Sequence, residues 1–265
     1  RKWGAICFSN DTDTSFISHL ELSGASQGFD PLIHNGAISS INSHIVVNHL
    51  EIENVLFPLY VEGGGIILKN SLLTCNFISD FINVKGGSAL IENCTFFGSD
   101  AEDTDAIDLD NVNNGIVRNN RIYNFNGSNS DGIDIGEGSE NILIGSNLIY
   151  HAWDKGISVG QSSFVILEKN VVVGSNVVFG KNITIYPNVT ICDESIIGDN
   201  VVIHSGAVIG SDGFGLVKED DKWEKDIDNK KLDETIRDVK LKLHQSLTEW
   251  EKMNPSYKNC LLYTS

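Results

Sequence analysis

The chain has 265 residues, of which 41% are hydrophobic and 21% charged, with 25 Gly, 4 Pro and a single Met; this excludes wholesale disorder and leaves room for one large domain or two modest ones. The formal net charge is −17, and 21 acids against 8 bases fall in residues 1–170, which argues against nucleic acid and anionic membranes as partners, because counterion release needs clustered Lys and Arg. No apolar run is long enough to span a bilayer, no signal peptide is visible, and a chain that starts at Arg1 is expected to be a fragment or a mature form.

Internal repeats dominate the first region. One strand type occurs as Leu59-Tyr60-Val61, Ile82-Asn83-Val84, Ile107-Asp108-Leu109, Ile133-Asp134-Ile135 and Ile157-Ser158-Val159, at spacings of 23, 25, 26 and 24 residues. A second type follows each, beginning at Ile67, Leu90, Ile116, Leu143 and Val165, and a third apolar position comes at Leu73, Phe96, Ile122, Ile149 and Val172. Ile45 to Ile52 is an earlier, looser copy. Two or three short strands with period-two patterning, recurring every 23–27 residues, predict a solenoid whose coils bury their apolar side only by stacking. Asn70, Asn93, Asn119, Asn120, Asn147 and Asn170 recur near strand ends, where Asn suits a repeated bend.

With Trp3-Gly4-Ala5-Ile6, Thr104 to Leu109, Ser130 to Ile135 and Trp153 to Ile157, residues 3–170 resemble the right-handed parallel β-helix of the pectin-lyase-like superfamily, closest to the repeat domains that accompany spore-coat-H-like proteins. The resemblance implies a bacterial module at the cell surface or outside the cell, with polysaccharide as its partner. The Asn-Thr-Asp, Asp-Asp, Gly-His-Gly and Arg-Ile-Lys motifs of pectin-degrading hydrolases are absent from residues 1–170, so catalytic residues are not assigned.

From Val171 the period switches to six. Val173, Phe179, Ile185, Ile191, Ile197, Ile203 and Ile209 make one inward series; Val171, Val177, Ile183, Val189, Ser195, Val201 and Ala207 make its companion. Three hexads complete one triangular coil, so the stretch holds a little over two coils. With Ile183 to Thr190, Val202 to Gly215 and Lys222 to Lys225, it resembles the hexapeptide acyltransferases of left-handed β-helix fold, UDP-3-O-acylglucosamine N-acyltransferase in particular. The resemblance implies acyl transfer from acyl carrier protein in lipid A synthesis and a cytoplasmic place, but the family's Gly-His-Asn-type base motif is missing, and His204 reads as a hexad turn residue. No strand ladder is expected to cross the switch near residues 171–176, which is either a domain border or a join of unrelated genes.

The expected organisation is therefore all-β: a right-handed parallel β-helix over residues 1–172, a left-handed hexapeptide segment over 173–225, and an amphipathic helix with tail over 226–265. The stripe of that helix is Leu232, Ile236, Val239, Leu243, Leu247 and Trp250. A partner-binding helix, a helix lying against the solenoid end and a foreign tail are its open readings. Five Cys with no CxxC (Cys7, Cys75, Cys94, Cys192, Cys260) argue against disulfides or zinc and for buried thiols.

The candidate chemistry lies in the middle residues of the first strand type: Tyr60, Asn83, Asp108, Asp134 and Ser158 form a column. Asp105, Asp108, Asp110, Asp131 and Asp134 are the candidate ligand- or cation-binding residues, with Asp108 and Asp134 as metal ligands and calcium as the implied ion, since oxygen donors favour it over zinc. A solvated acidic face and a general acid–base pair are the competing readings. Arg118 and Arg121 are expected to bridge to this column; His151 beside Trp153 is expected to be structural, with stacking on a sugar as the alternative. The leading function is a non-catalytic surface module for carbohydrate or calcium. A polysaccharide lyase or hydrolase and a truncated acyltransferase are the alternatives.

Overall fold

A computed structural model describes residues 4–25, 28–30, 32–74 and 79–211, together with the backbone of the strands Leu216–Glu219 and Lys222–Lys225. The expected helix within 226–265, Trp3, Cys75 and Cys260 lie outside the described residues. All described regular elements are strands, and none of the described residues forms a helix long and apolar enough to cross a membrane.

Residues 6–173 wind into a parallel β-solenoid of about six turns with three strand ladders. The first ladder stacks seven strands, Ile6–Ser9, Ile38–Ile41, Leu59–Glu62, Ile82–Lys85, Ile107–Asp110, Ile133–Ile135 and Ile157–Val159. Its register places Ile82, Ile107, Ile133 and Ile157 in one row, as the repeat spacing predicts. The long strand His44–Glu53 feeds both other ladders, because His49 turns the chain at φ 55° halfway along it. The stretch Ser15–Ser23, which pairs with it along its length, is a coil that the sequence reading passed over.

The second ladder corrects the repeat alignment by one residue. Leu143 pairs with Ile166, not Val165. Val165, Ile166 and Leu167 are all apolar, so the local pattern leaves the inward position open, and a slip of one residue exchanges the faces of a strand. The stack decides: Leu68, Ile91, Val117 and Ile144 are fully buried, and Leu167 continues their row.

At the corner between the second and third ladders, His19, His49, Asn70, Asn93, Asn119, Ser146 and Lys169 all have left-handed φ between 50° and 57°. This conformation disfavours β-branched residues and suits Asn. The next residue in the last three coils is Asn120, Asn147 or Asn170, which turns inward and is buried. The expected role of Asn at bends is thus divided between two rows with different chemistry. The outer one supplies backbone conformation, the inner one hydrogen bonds. At another corner Gly87 has φ +75°, and a Cβ there would lie 1.6 Å from the Gly64 carbonyl oxygen, so this close backbone stacking requires glycine.

The core of this solenoid is one continuous cluster, including Phe81, Ile107, Ile133 and Phe125. Ile133 is wholly buried. Ile133→Asp is expected to lower unfolding free energy by about 4 kcal/mol or more, since it strands a carboxylate among aliphatic side chains. Denaturant unfolding measures the loss, and a change below about 1 kcal/mol would remove Ile133 from the core.

A second solenoid begins where the period changes to six. Its strands pair at 18-residue spacing: Val171–Val173 with Val189–Ile191, Val178–Phe179 with Ile196–Ile197, Thr184–Ile185 with Val202–Ile203. Both hexad series except Phe179 and Ser195 pack in a separate core centred on Val173, Val189, Ile191, Ile197 and Ile203; Phe179, expected to point inward, is exposed.

The expectation that no ladder crosses the switch is incorrect. The third ladder runs through it, from Leu148–Ala152 to Val171–Val173, Val189–Ile191 and Val208–Ile209. The first and second ladders stop at Ile157–Val159 and Ser163–Glu168. Along the continuous ladder the buried face changes side. Leu73, Phe96, Ile122 and Ile149 are fully buried, yet their row continues as Val172, Thr190 and Val208, the last 54% exposed. The opposite row holds Phe97, Tyr123 and Tyr150 outside the first core and then Val173 and Ile191, 4% and 1% exposed, inside the second. Tyr150 packs against that second core. The two solenoids therefore lie on opposite faces of one shared sheet. With strand direction and stacking direction both kept, wrapping around the other face reverses the hand of the coil. Two hands share a ladder because they share only that ladder.

Candidate functional site

The first ladder assembles the predicted column. Tyr60 lies beside Asn83, Asn83 beside Asp108, Asp108 beside Asp134 and Asp134 beside Ser158, one rung apart at about 4.8 Å. The alternation of the strands sends these middle residues away from the core, while the flanking aliphatic residues anchor each rung.

A second row stands two residues before the buried Ile82, Ile107 and Ile133. Here Asp80, Asp105 and Asp131 each accept a backbone N–H from the next coil. The Asp105 N–H donates to Asp80 Oδ1 at 3.1 Å, the Asp131 N–H to Asp105 Oδ1 at 2.6 Å, and the Lys155 N–H to Asp131 Oδ1 at 2.7 Å. Asp105 and Asp131, expected as ligand-binding residues, are therefore engaged in tying coil to coil through one carboxylate oxygen each. Asp80 was missed by the sequence reading, although its position two residues before Ile82 matches Asp105 before Ile107 and Asp131 before Ile133. The signal was a third alignment row that the strand triplets did not include.

The two rows meet at Asn83, which is 6% exposed. Its amide nitrogen donates to Asp108 Oδ2 at 2.5 Å and to Asp80 Oδ2 at 3.1 Å. Its Oδ1 is buried without a hydrogen-bond partner. Burial pushes the Asp105 and Asp108 carboxyls up to about 8, with neighbouring carboxylates adding to the rise, Asp80 and Asp134 among them. Burial likewise raises Asp80, Asp110 and Asp131, although Lys85 opposes the rise at Asp110 and the Lys155 N–H and ammonium oppose it at Asp131. At neutral pH the centre of the column therefore carries protons and offers O–H donors as well as acceptors.

Lys155 forms ion pairs with Asp154 and, at 3.9 Å, Asp131. The expected bridges from the two arginines do not form. Arg118 is in the second ladder, where its guanidinium and the Lys69 ammonium hold Glu92 at 2.6 and 2.7 Å and keep that carboxyl below its usual range. Arg121 is in the third ladder. The residues after the column strands belong to other faces, a separation that linear distance conceals. Among the described residues no three His, Cys, Asp or Glu side chains converge to hold a metal ion.

The aromatic candidates also divide. Trp153 is exposed. His151 has its Nδ1 3.1 Å from Asn124 Oδ1 and its ring edge-on to Tyr150, so it does not stand beside the column as a free stacking partner. His204 stacks on Tyr186 at 5.2 Å between successive coils of the second solenoid. Cys94 is buried, its thiol pushed up to about 12 by desolvation, while Cys7 and Cys192 are partly buried.

Comparison with known proteins locates one similarity. The bacterial transferase hexapeptide (six repeats) family model matches residues 176–211, the strands of the second solenoid. No curated protein and no solved structure matches the chain. The chain is thus a parallel β-solenoid whose second part carries hexapeptide repeats of the kind found in that transferase family.

Proposed function

We propose that the chain is a non-catalytic repeat module, placed at the cell surface or outside the cell, that binds a polyhydroxylated polymer along the outward column of its first ladder. The observation that carries this reading is the unbroken row Tyr60, Asn83, Asp108, Asp134 and Ser158, with the buried Asn83 Oδ1 lacking a donor. Protonated carboxyls, carboxylates and an amide in register supply the mixed donors and acceptors that hydroxyl groups need. Calcium enters only as a bridge, with Asp108 and Asp134 giving part of its oxygen shell and the polymer the remainder.

The test is thermal unfolding with neutral and uronate polysaccharides, each with and without calcium, and the wild type is expected to melt at a higher temperature with at least one polymer. Asp108→Asn with Asp134→Asn should abolish that rise without lowering the basal melting temperature, because an amide keeps the size of each side chain and brings no charge to be desolvated. No shift with any polymer would overturn the binding reading. Polymer cleavage would favour the lyase or hydrolase reading instead.

A second reading, acyl transfer, is favoured by the family match over residues 176–211. His204 lies against Tyr186, away from any carboxylate named in the column. No acyl transfer from acyl carrier protein is expected, and measurable turnover would replace the first reading.

A further inference from the structure

The reversal at the shared ladder leaves the first core open at its end. In the row Leu68, Ile91, Val117 and Ile144 every residue is fully buried, and Leu167, next in the row, is 50% exposed. In the row Val61, Val84, Leu109 and Ile135 the same holds, and Val159 is 44% exposed. The next coil does not cover them, because it turns to the other face of the sheet. Among the described residues Ile157–Val159 and Ser163–Glu168 are therefore terminal strands with an unpaired backbone edge, a surface that native proteins cover to prevent edge-to-edge association.

The continuing ladder makes this end a step rather than a flat top. Val159 and Leu167 belong to the floor. Thr190 and Val208 rise above the row of Ile149 and Val172, so the outward side of the second solenoid forms a wall beside the floor. Floor and wall are apolar at Val159, Leu167, Val172 and Val208.

We infer that residues 228–253 of this same chain dock in the step as an amphipathic helix. The segment has one apolar stripe, Leu232, Ile236, Val239, Leu243, Leu247 and Trp250, and the step has two apolar sides meeting at an angle, which suits the single stripe of a helix. The stripe would extend about 27 Å at 1.5 Å per residue. The second solenoid is a little over two coils tall, about 10 Å at the parallel-strand spacing. Of the 16 residues between Ser211 and Asp228, Leu216–Glu219 and Lys222–Lys225 pair antiparallel and return on themselves, and the six residues outside 216–225 span up to about 20 Å, enough to return over that height. Tethering makes this occupant local at a high effective concentration, an advantage that a second copy lacks. The segment then closes the core that the change of hand leaves open.

Hydrogen exchange on the full-length chain tests the docking. Slow exchange at amides of residues 232–250 is expected in the wild type, and Leu167→Lys should accelerate it at least tenfold. Val202→Lys, an exposed apolar site on a different ladder of the second solenoid, should leave it unchanged. Slow exchange in Ile107–Asp110 in every variant serves as the check that the first solenoid is folded. Fast exchange at 232–250 in the wild type, or protection indifferent to Leu167→Lys, would overturn the inference. So would protection that disappears on dilution, since a second copy would then be the occupant.

Discussion

Asn147→Leu is expected to destabilise the first solenoid by about 3–5 kcal/mol, more than most single substitutions. Asn147 Oδ1 accepts from the Asn120 backbone N–H at 3.0 Å and from the Asn120 amide at 3.1 Å. Its own amide donates to the Val117 carbonyl at 2.9 Å and to Asn170 Oδ1 at 3.0 Å. All of these groups are buried in the corner. Leucine has a similar size but removes both acceptor and donor together. The Asn120 N–H and one Asn120 amide hydrogen are then left without their acceptor in a place water does not reach, and such desolvation without replacement costs more than the hydrogen bond itself contributed. Urea unfolding measures the change. Asn119→Gly, one row outward, should differ from wild type by only about 0.5 kcal/mol, because Asn119 contributes its φ of 56° and glycine adopts that conformation readily. Equal effects at the two positions would show that the ladder does not carry the difference.

Stability is also expected to fall as pH rises from about 4 to about 8. The sign follows from Asp105 and Asp108, whose folded carboxyls titrate at about 8 against an ordinary value near 4. Between those values the folded chain binds more protons than the unfolded chain. Their contribution is therefore most favourable below the unfolded value and is lost as pH passes through the folded one. This is the reverse of the usual carboxylate case. Asp108→Asn, which cannot ionise, should flatten the decline and gain stability at pH 8.5 relative to wild type. An exposed acid such as Asp13 provides the control, since Asp13→Asn removes the same net charge without the buried site. A wild-type stability that rises over this range, or an Asp108→Asn variant with an unchanged slope, would contradict the assignment of raised proton affinity to the column.

The sequence by itself determined the elements that repeat. The Ile of each first-ladder strand, the 23–27-residue period and the hexads were legible because an inward side chain must be apolar in every coil, and stacking repeats that requirement at fixed spacing. The same logic aligned Asp108 with Asp134. It failed where local pattern is ambiguous: at Val165, Ile166 and Leu167 three apolar residues in succession do not identify the inward one, and only pairing with Leu143 and Ile144 does. It also missed Asp80, whose role is to receive the Asp105 N–H, a contact between coils that no single coil reveals. Only the tertiary structure decided where Arg118 points, that Asp105 and Asp131 are committed to the backbone, and that one ladder crosses the change of period. The reason is that an alternating strand such as Val171–Val173 offers an apolar residue to both faces: its sequence is compatible with a core on either side, and the side is chosen by what the next strands enclose.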